Sequence, residues 1–173
     1  DFGCGKNKAP GYSGVDALKF DGVDVVTDLR KPWPWANQSV DEAHCSHFVE
    51  HLTNPERVHF FNELGRVLRL GAVARIITPH WSNACAYGDP THQWPPLSDW
   101  SFYYLHKPWR EVNAPHVDVP EASLRYTCNF EYVIGGTWTP ELESRNQETK
   151  IFWMTHYINS YRDIIATLTN RGS

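Results

Sequence analysis

Short apolar runs mark the first half of the chain, and each is closed by an acid or a turn residue. Gly11–Asp16 and Val23–Asp28 both finish on an aspartate, and Val40–Ser46 carries Asp41 and Glu42 near its start. Val73–Thr78 is a continuous, β-branched run that is stopped by proline. These runs predict four strands, and the last is typical of a buried parallel strand.

Helical spacing appears in two long segments. Asn54 and Pro55 form a helix start, and apolar residues then recur every three or four positions until Arg69–Gly71, where a glycine ends the pattern. Near the end of the chain the same spacing predicts one long amphipathic helix. Its apolar positions are Ile151, Met154, Ile158, Tyr161, Ile165 and Leu168. Between the two segments we expect a helical patch at Ser98–Leu105 and a strand at Tyr126–Ile134.

The order strand, strand, strand, helix, strand predicts an α/β fold, in which ligands bind at the carboxyl ends of the strands. A length of 173 residues suits a single domain. The net charge of −4 and the lack of a long Lys/Arg run argue against a large nucleic-acid footprint. The apolar runs are too short to cross a bilayer, and no secretory leader is visible.

The four cysteines are scattered, with no CxxC pair, so we expect free thiols in a cytoplasmic protein. Aromatic residues make up 14% of the chain, and many fall between Trp81 and Trp109. At that density they either fill a core or line a pocket.

A glycine turn opens the chain at Asp1-Phe2-Gly3-Cys4-Gly5. Glycines allow positive φ and close approach of a ligand, although a plain structural turn explains one Gly-x-Gly equally well. Asp16 ends the next strand, where a carboxylate accepts hydrogen bonds from both hydroxyls of a ribose. Asp28, followed by Leu29, ends the third strand, where it is placed to accept from an adenine amino group. Each aspartate alone is explained by a solvated strand end, but the ordered set favours a nucleoside-binding site.

The ordered set of motifs over residues 1 to about 80 resembles the class I S-adenosylmethionine-dependent methyltransferases, in particular small bacterial and phage members of unassigned substrate. The resemblance rests on the glycine turn, Gly14-Val15-Asp16, Val26-Thr27-Asp28-Leu29, Ser39-Val40-Asp41-Glu42, Glu50-His51-Leu52 and Glu63 to Gly71. It implies a Rossmann-like, mostly parallel seven-stranded sheet with a reversed final strand. We expect residues 1–80 to form the cofactor-binding half, 81–120 a cap, and 121–173 the final strands and the C-terminal helix.

The resemblance also implies S-adenosylmethionine as the cofactor and assigns its contacts. Gly3 and Gly5 would flank the methionine part, Asp16 the ribose, and Asp28 with Leu29 the adenine. Ser46 and His47 would face the sulfonium. The remaining expected contacts are Asp1, Cys4 and Ala17.

Three departures from the family pattern change the expectation. Only residues 6–16 separate the turn from the second acid, so the first helix should be short or missing. Gly71-Ala72 stands where the family usually has two glycines. Ser46-His47-Phe48 stands where the family's amino-methylating members carry an Asn/Asp-Pro-Pro-aromatic signature. The missing signature argues against a nucleobase amino group as the methyl acceptor.

A histidine suits removal of a proton from a methyl acceptor near neutral pH. We expect the base to be His80, then His92, then His47, in that order of preference. His80 directly follows the strand that ends at Thr78, at the edge where such sheets carry their chemistry. The histidines and aspartates of this stretch as a group are explained by a metal site, by general bases or by ordinary loop hydrogen bonds. They are His80, Asp89, His92, His116 and Asp118.

His47-Phe48-Val49-Glu50-His51 also fits the H-x-x-E-H pattern of zinc peptidases. The resemblance explains Glu50-His51-Leu52 without a metal, so we expect no zinc between His47 and His51 and no metal site. We therefore expect methyl transfer to an unidentified small-molecule acceptor. The alternatives are a non-catalytic adenosyl-ligand or protein-binding module and, less favoured, a zinc hydrolase.

Asp1–Gly3 is very short for a central strand of such a sheet. We therefore expect either further residues upstream in the natural protein or a homodimer that completes the sheet, with the predicted C-terminal helix as a second contact surface.

Overall fold

The computed structural model describes residues 1–117, 119, 122 and 124–172. Within them six strands are found: β1 (Gly14–Asp16), β2 (Val23–Val26), β3 (Val40–Ser46), β4 (Leu68–Pro79), β5 (Phe130–Trp138) and β6 (Tyr161–Asn170). The α-helices are α1 (Asn54–Val67), α2 (Cys85–Gly88), α3 (Asp99–Tyr103), α4 (Lys107–Asn113), α5 (Pro140–Glu143) and α6 (Gln147–His156). Short 3-10 helices cover Val49–His51 and Pro115–Val117.

Residues 1–3 connect two groups of strands. β1 pairs in parallel with β2, and β3, β4, β6 and β5 follow one another in a second group. Phe2 forms a parallel bridge with Val15 of β1, and its N–H donates to the carbonyl oxygen of His44 in β3 at 2.8 Å. The strand order across the molecule is therefore β2, β1, residues 1–3, β3, β4, β6, β5.

The expectation of a mostly parallel sheet is wrong for the four-stranded group. β3 and β4 are parallel, but β6 lies between β4 and β5 and runs antiparallel to both. Two of its three pairings are therefore antiparallel, which makes the sheet mixed. A single reversed strand produces both antiparallel pairings because it has a neighbour on each side.

The predicted C-terminal helix over 151–168 is also wrong. Helix α6 ends at His156, and Tyr161–Asn170 forms strand β6. Within β6 the side chains of Ile164, Ala166 and Leu168 are fully buried, which is a period of two. The apolar residues that matched helical spacing belong to two elements, and the β-branched residues of this stretch favour a strand.

Other boundaries differ from the predicted ones by a few residues. Thr53, not Asn54, is the N-cap of α1, and its backbone N–H donates to Glu56 at 2.8 Å in a capping box. The helix ends at Val67, and the C-cap residue Leu68 already has the extended backbone of β4. Strand β5 begins later than predicted and runs through Gly135 and Gly136.

Glycine is required at position 136 by close packing. A Cβ atom there would lie 2.1 Å from the carbonyl oxygen of Asp163 and 2.2 Å from the Tyr161 hydroxyl. A glycine inside a strand commonly marks such close approach.

The core lies where α1 packs on the sheet. Its buried side chains include Phe60, Phe61 and Leu64 of the helix and Ala74 and Ile76 of β4. All four cysteines are free thiols, and three of them are buried. None of the described helices combines the length and apolar character needed to cross a membrane.

Candidate functional site

The glycine turn follows directly from residues 1–3. Gly3 and Gly5 both adopt positive φ, of 68° and 52°. A Cβ atom on Gly3 would lie 2.3 Å from the Phe48 ring, so the turn sits tightly on the chain that follows β3. Residues 4–13 then form turns without a helix.

Asp16, at the end of β1, joins the glycine turn to the loop that follows. One carboxylate oxygen accepts from the Gly5 backbone N–H at 2.9 Å, and the other accepts from the Leu18 N–H at 2.9 Å. A carboxylate oxygen has two lone pairs, so each oxygen keeps one free position. The side chain is half-buried and can still accept hydrogen bonds from a ligand.

Asp28, just beyond β2, is held by a neighbouring arginine. The Arg30 guanidinium donates to both carboxylate oxygens, through Nε at 2.8 Å and Nη2 at 3.1 Å. This two-point hydrogen bond is the main cause that holds the pKa of Asp28 below its usual value. Asp28 is therefore an ionised acceptor at neutral pH, beside the buried side chain of Leu29.

A cavity of about 150 Å³ brings four of the expected cofactor residues together. Its lining residues are Asp16, Ala17, Asp28, Leu29, Arg30, Phe48, His51 and Leu52. Pockets for whole small molecules usually have at least about 300 Å³, so this cavity suits one part of a ligand. It lies beyond the carboxyl ends of β1 and β2, the edge at which α/β sheets bind ligands.

Two further expected contacts, Asp1 and Cys4, do not line this cavity. The Asp1 carboxylate accepts from the Ala9 N–H at 2.7 Å and lies 2.8 Å from His44 Nδ1. Burial raises the pKa of the Cys4 thiol, which therefore stays protonated.

A second, larger cavity of about 680 Å³ is lined by Asp1, Tyr12, Trp35 and Glu42 among others. It lies by the amino ends of β1 and β3. Its size alone would favour it as the ligand site, but its position is opposite to the edge where sheets of this kind bind ligands. We therefore place the candidate site at the smaller cavity.

The three histidines expected to act as bases occupy different surroundings. His47 follows Ser46 at the end of β3, and about half of its side chain is exposed. Its Nδ1 lies 3.2 Å from Glu50 Oε1, and this contact raises the pKa of His47. His92 lies in the loop after α2, with its Nδ1 3.3 Å from the Ala86 carbonyl oxygen.

His80 is different because it is only 3% exposed. Its Nδ1 accepts the backbone N–H of Ser82 at 3.3 Å and lies 2.8 Å from the hydroxyl of the same residue. Burial lowers the pKa of His80 to about 4. The imidazole is therefore neutral at pH 7 and is packed against Tyr161 rather than open to solvent.

His51 and His92 lie together, a grouping that the sequence did not predict. Their rings are 4.8 Å apart, and Thr91 Oγ1 lies 3.0 Å from His51 Nδ1. Both histidines occur in motifs that are visible in the sequence, but no local pattern places the loop after α2 on the Val49–His51 helix. Of the other polar residues of the 79–120 stretch, His116 is exposed and Asp118 lies outside the described residues.

The chain is similar to known proteins in structure but not in sequence. No protein-family model matches the chain, and no curated protein matches its sequence. A solved S-adenosylmethionine-dependent methyltransferase from Archaeoglobus fulgidus is similar, with a TM-score of 0.57 and 16% identity. The match covers 84% of this chain and 66% of that protein.

Two further solved structures match with lower TM-scores. An S-adenosylmethionine-dependent methyltransferase from Methanosarcina mazei has a TM-score of 0.48 and 13% identity, over 98% of this chain and 90% of that one. Geranyl diphosphate C-methyltransferase from Streptomyces coelicolor has a TM-score of 0.40 and 17% identity, over 87% and 54% of the two chains. The chain thus spans just under two thirds of the A. fulgidus protein and about half of the S. coelicolor enzyme.

The likeness to the A. fulgidus structure agrees with the order of elements described above. The chain has the Rossmann-like α/β fold of the S-adenosylmethionine-dependent methyltransferases.

Proposed function

We propose that this chain binds S-adenosylmethionine and transfers its methyl group to a small-molecule acceptor. The observation that carries the proposal is the cavity beyond β1 and β2, which joins Asp16 and Ala17 to Asp28 and Leu29. These residues come from the ends of two neighbouring strands, and the glycine turn is tied to Asp16 by a hydrogen bond.

The residues at this cavity fit an adenosyl group. Asp16 keeps one free lone-pair position on each oxygen, which suits the two hydroxyls of a ribose. Leu29 and Leu52 are buried apolar side chains on which a flat ring packs, and Asp28 is an ionised acceptor at the rim. Gly5 has a positive φ, and a Cβ atom there would meet no atom within 4 Å, so there is open space beside the turn.

When bound, S-adenosylmethionine supplies a methyl group that is already activated by its sulfonium. The protein then has to hold and align the reactants and exclude water. Asp16 and the glycine turn would fix the adenosyl part. Ser46 and His47, at the end of β3, would line the side from which the acceptor approaches.

A small-molecule acceptor is supported by charge and by the missing signature. The net charge of −4 does not favour a nucleic-acid substrate. Ser46-His47-Phe48 stands where amino-methylating enzymes carry their Pro-Pro-aromatic run. We propose that part of the 81–120 segment forms the acceptor side of the pocket, since Thr91 and His92 contact His51.

A non-catalytic adenosyl-binding module is the second candidate. Residues 4–13 form turns without a helix, so the backbone amides of a first helix are not there to hold the cofactor's carboxylate. Binding of S-adenosylhomocysteine without any methyl transfer to a broad set of small-molecule acceptors would favour this alternative.

The proposal is tested by calorimetric titration of S-adenosylhomocysteine into wild-type protein and Asp16→Asn. Loss of charge-assisted hydrogen bonds to the ribose costs about 1.5–3 kcal/mol, so the affinity should fall by at least about tenfold. Asp21→Asn, at an exposed aspartate in the turn before β2, is the matched control and should bind as wild type. Unchanged affinity in Asp16→Asn would refute the assigned ribose contact.

A further inference from the structure

Three potential metal ligands meet beside the candidate cavity. Glu50 and His51 come from the Val49–His51 helix, and His92 comes from the loop after α2. One ligand atom from each lies within 4.8 Å of the others. We propose that Glu50, His51 and His92 form a binding site for a divalent transition metal ion.

The hydrogen bonding of His92 leaves one ring nitrogen free to bind a metal ion. Its Nδ1 lies 3.3 Å from the Ala86 carbonyl oxygen, which can only accept a hydrogen bond. Nδ1 therefore carries the proton, and Nε2 of the neutral ring keeps its lone pair. Donation of the second ring nitrogen to a carbonyl is the usual arrangement of a metal-binding histidine.

Two more residues, Thr91 and Asp89, fix the tautomer of His51. The Thr91 hydroxyl donates to Asp89 Oδ1 at 2.7 Å, since a carboxylate only accepts. The Thr91 oxygen therefore accepts from His51 Nδ1 at 3.0 Å. The lone pair of His51 is again left on Nε2, and a carboxylate orients the ring from the far side.

Glu50 contributes a buried carboxyl group to the cluster. It is 3% exposed, and its carboxylate contacts the Thr78 hydroxyl at 3.2 Å and His47 Nδ1 at 3.2 Å. Burial of a carboxylate is costly unless a positive charge or a metal ion compensates it. His47 lies on one side of this carboxylate, and a divalent cation at the cluster would add compensation on the side of His51 and His92.

A buried arginine fixes the two chain segments that carry the ligands. The Arg57 guanidinium donates to the carbonyl oxygens of Val49 and Glu50 in one segment, at 3.1 and 3.3 Å. In the other segment it donates to those of Gln93 and Pro95, at 3.0 and 2.6 Å. These hydrogen bonds hold the backbone of both ligand-bearing segments in place, as a preorganised site requires.

Two imidazoles and one carboxylate favour zinc, iron(II) or manganese over calcium or magnesium, which prefer oxygen ligands only. Metal–ligand distances of about 2.0–2.2 Å require the three side chains to move slightly closer together. Asp89 Oδ2 lies 3.9 Å from His92 Nε2, at the edge of the group. This proposal departs from the expectation of no metal site, because the structure places His92, and not His47, in the group with His51.

The experiment is a zinc titration of the chelator-treated, dialysed full chain against a competing indicator. We expect one equivalent per chain in wild type and an affinity at least about tenfold lower in His51→Ala, His92→Ala and Glu50→Gln. His156→Ala, at an exposed histidine on α6, and Cys85→Ser, at the exposed thiol, should bind as wild type. Absence of stoichiometric binding, or binding that survives both His51→Ala and His92→Ala, overturns the proposal.

X-ray absorption of the zinc-loaded wild type provides a test that does not depend on variants folding. We expect a first shell of nitrogen and oxygen only, with imidazole scattering. Sulfur in the first shell would assign the metal to a cysteine and overturn the proposal. Metal binding goes beyond the proposed methyl transfer, and calorimetry with S-adenosylhomocysteine detects a failure of the latter independently.

Discussion

The buried imidazole of His80 should make the protein sensitive to mild acid. Burial lowers the pKa of His80 to about 4, from an ordinary value near 6.5 in the unfolded chain. Its Nδ1 accepts the Ser82 backbone N–H, so protonation of that nitrogen would remove an acceptor in the core. Between pH 4 and 6.5 the unfolded state therefore binds more protons than the folded state, and stability rises with pH.

The size of the effect follows from the pKa difference. About 2.5 pKa units at about 1.36 kcal/mol each gives about 3 kcal/mol as an upper value. This stability is fully present above pH 6.5 and is lost as the pH falls towards 4. A glutamine at position 80 retains an acceptor for the Ser82 N–H but does not titrate.

The assay is urea unfolding, followed by tryptophan fluorescence, at several pH values between 4 and 7.5. We expect the free energy of unfolding of His80→Gln to lie below that of wild type at pH 7.5 and to approach it as the pH falls. His156→Gln, at an exposed histidine, should keep the wild-type pH dependence. Parallel curves for wild type and His80→Gln would refute the reasoning. Because His80 is neutral and buried, we also expect His80→Gln to leave S-adenosylhomocysteine affinity unchanged.

Three further substitutions test the packing around the site by urea unfolding. Gly136→Ala should lower the free energy of unfolding by about 2 kcal/mol more than Gly135→Ala, because a Cβ at position 136 meets the Asp163 backbone at 2.1 Å and one at position 135 meets nothing within 4 Å. Equal losses of stability in the two variants would contradict the close approach. Gly3→Ala should lower the free energy of unfolding by more than the about 1–2 kcal/mol expected from positive φ alone, because a Cβ atom would contact Phe48. A smaller loss of stability would show that the Phe48 ring moves aside freely. Arg57→Met should lower the free energy of unfolding by about 3 kcal/mol because four carbonyl oxygens lose a donor, and Arg57→Lys should retain part of this stability. An Arg57→Met variant as stable as wild type would contradict the structural role of these hydrogen bonds.

The positions of strands in the first half were predictable because each strand is short and is closed by a residue with a clear local role. Asp16 ends β1, and the β-branched run Val73–Thr78 lies inside β4. The ordered motifs of residues 1–80 also predicted that Asp16 and Asp28 lie near each other, and both line the same cavity.

The C-terminal part was not predictable from spacing alone. Ile158 and Tyr161 continue the three-residue rhythm of α6 across a turn, where Asn159 adopts a φ of 60°. The β-branched residues of Tyr161–Asn170 favour a strand, but its pairing with β4 and β5 decides the outcome, and this pairing joins residues far apart in the sequence. Tertiary context overrides local periodicity in such a case.

The cluster of Glu50, His51 and His92 escaped prediction for a similar reason. The H-x-x-E-H pattern pairs His47 with His51 on the assumption of an α-helix. In the structure a 3-10 helix, Val49–His51, follows His47. The spacing that would put two histidines on one helical face therefore does not apply. His92 belongs to another loop. Hydrogen bonds from Arg57 and Gln93 to the backbone of the Val49–His51 helix hold that loop beside His51.

The adenosyl site is tested most directly by a crystal structure of the full chain with S-adenosylhomocysteine. We expect the ribose hydroxyls on the Asp16 carboxylate and the adenine beside Asp28 and Leu29, in the cavity of about 150 Å³. An adenosyl group bound instead in the larger cavity lined by Asp1, Tyr12 and Glu42, or no bound ligand at saturating concentration, would contradict the assignment.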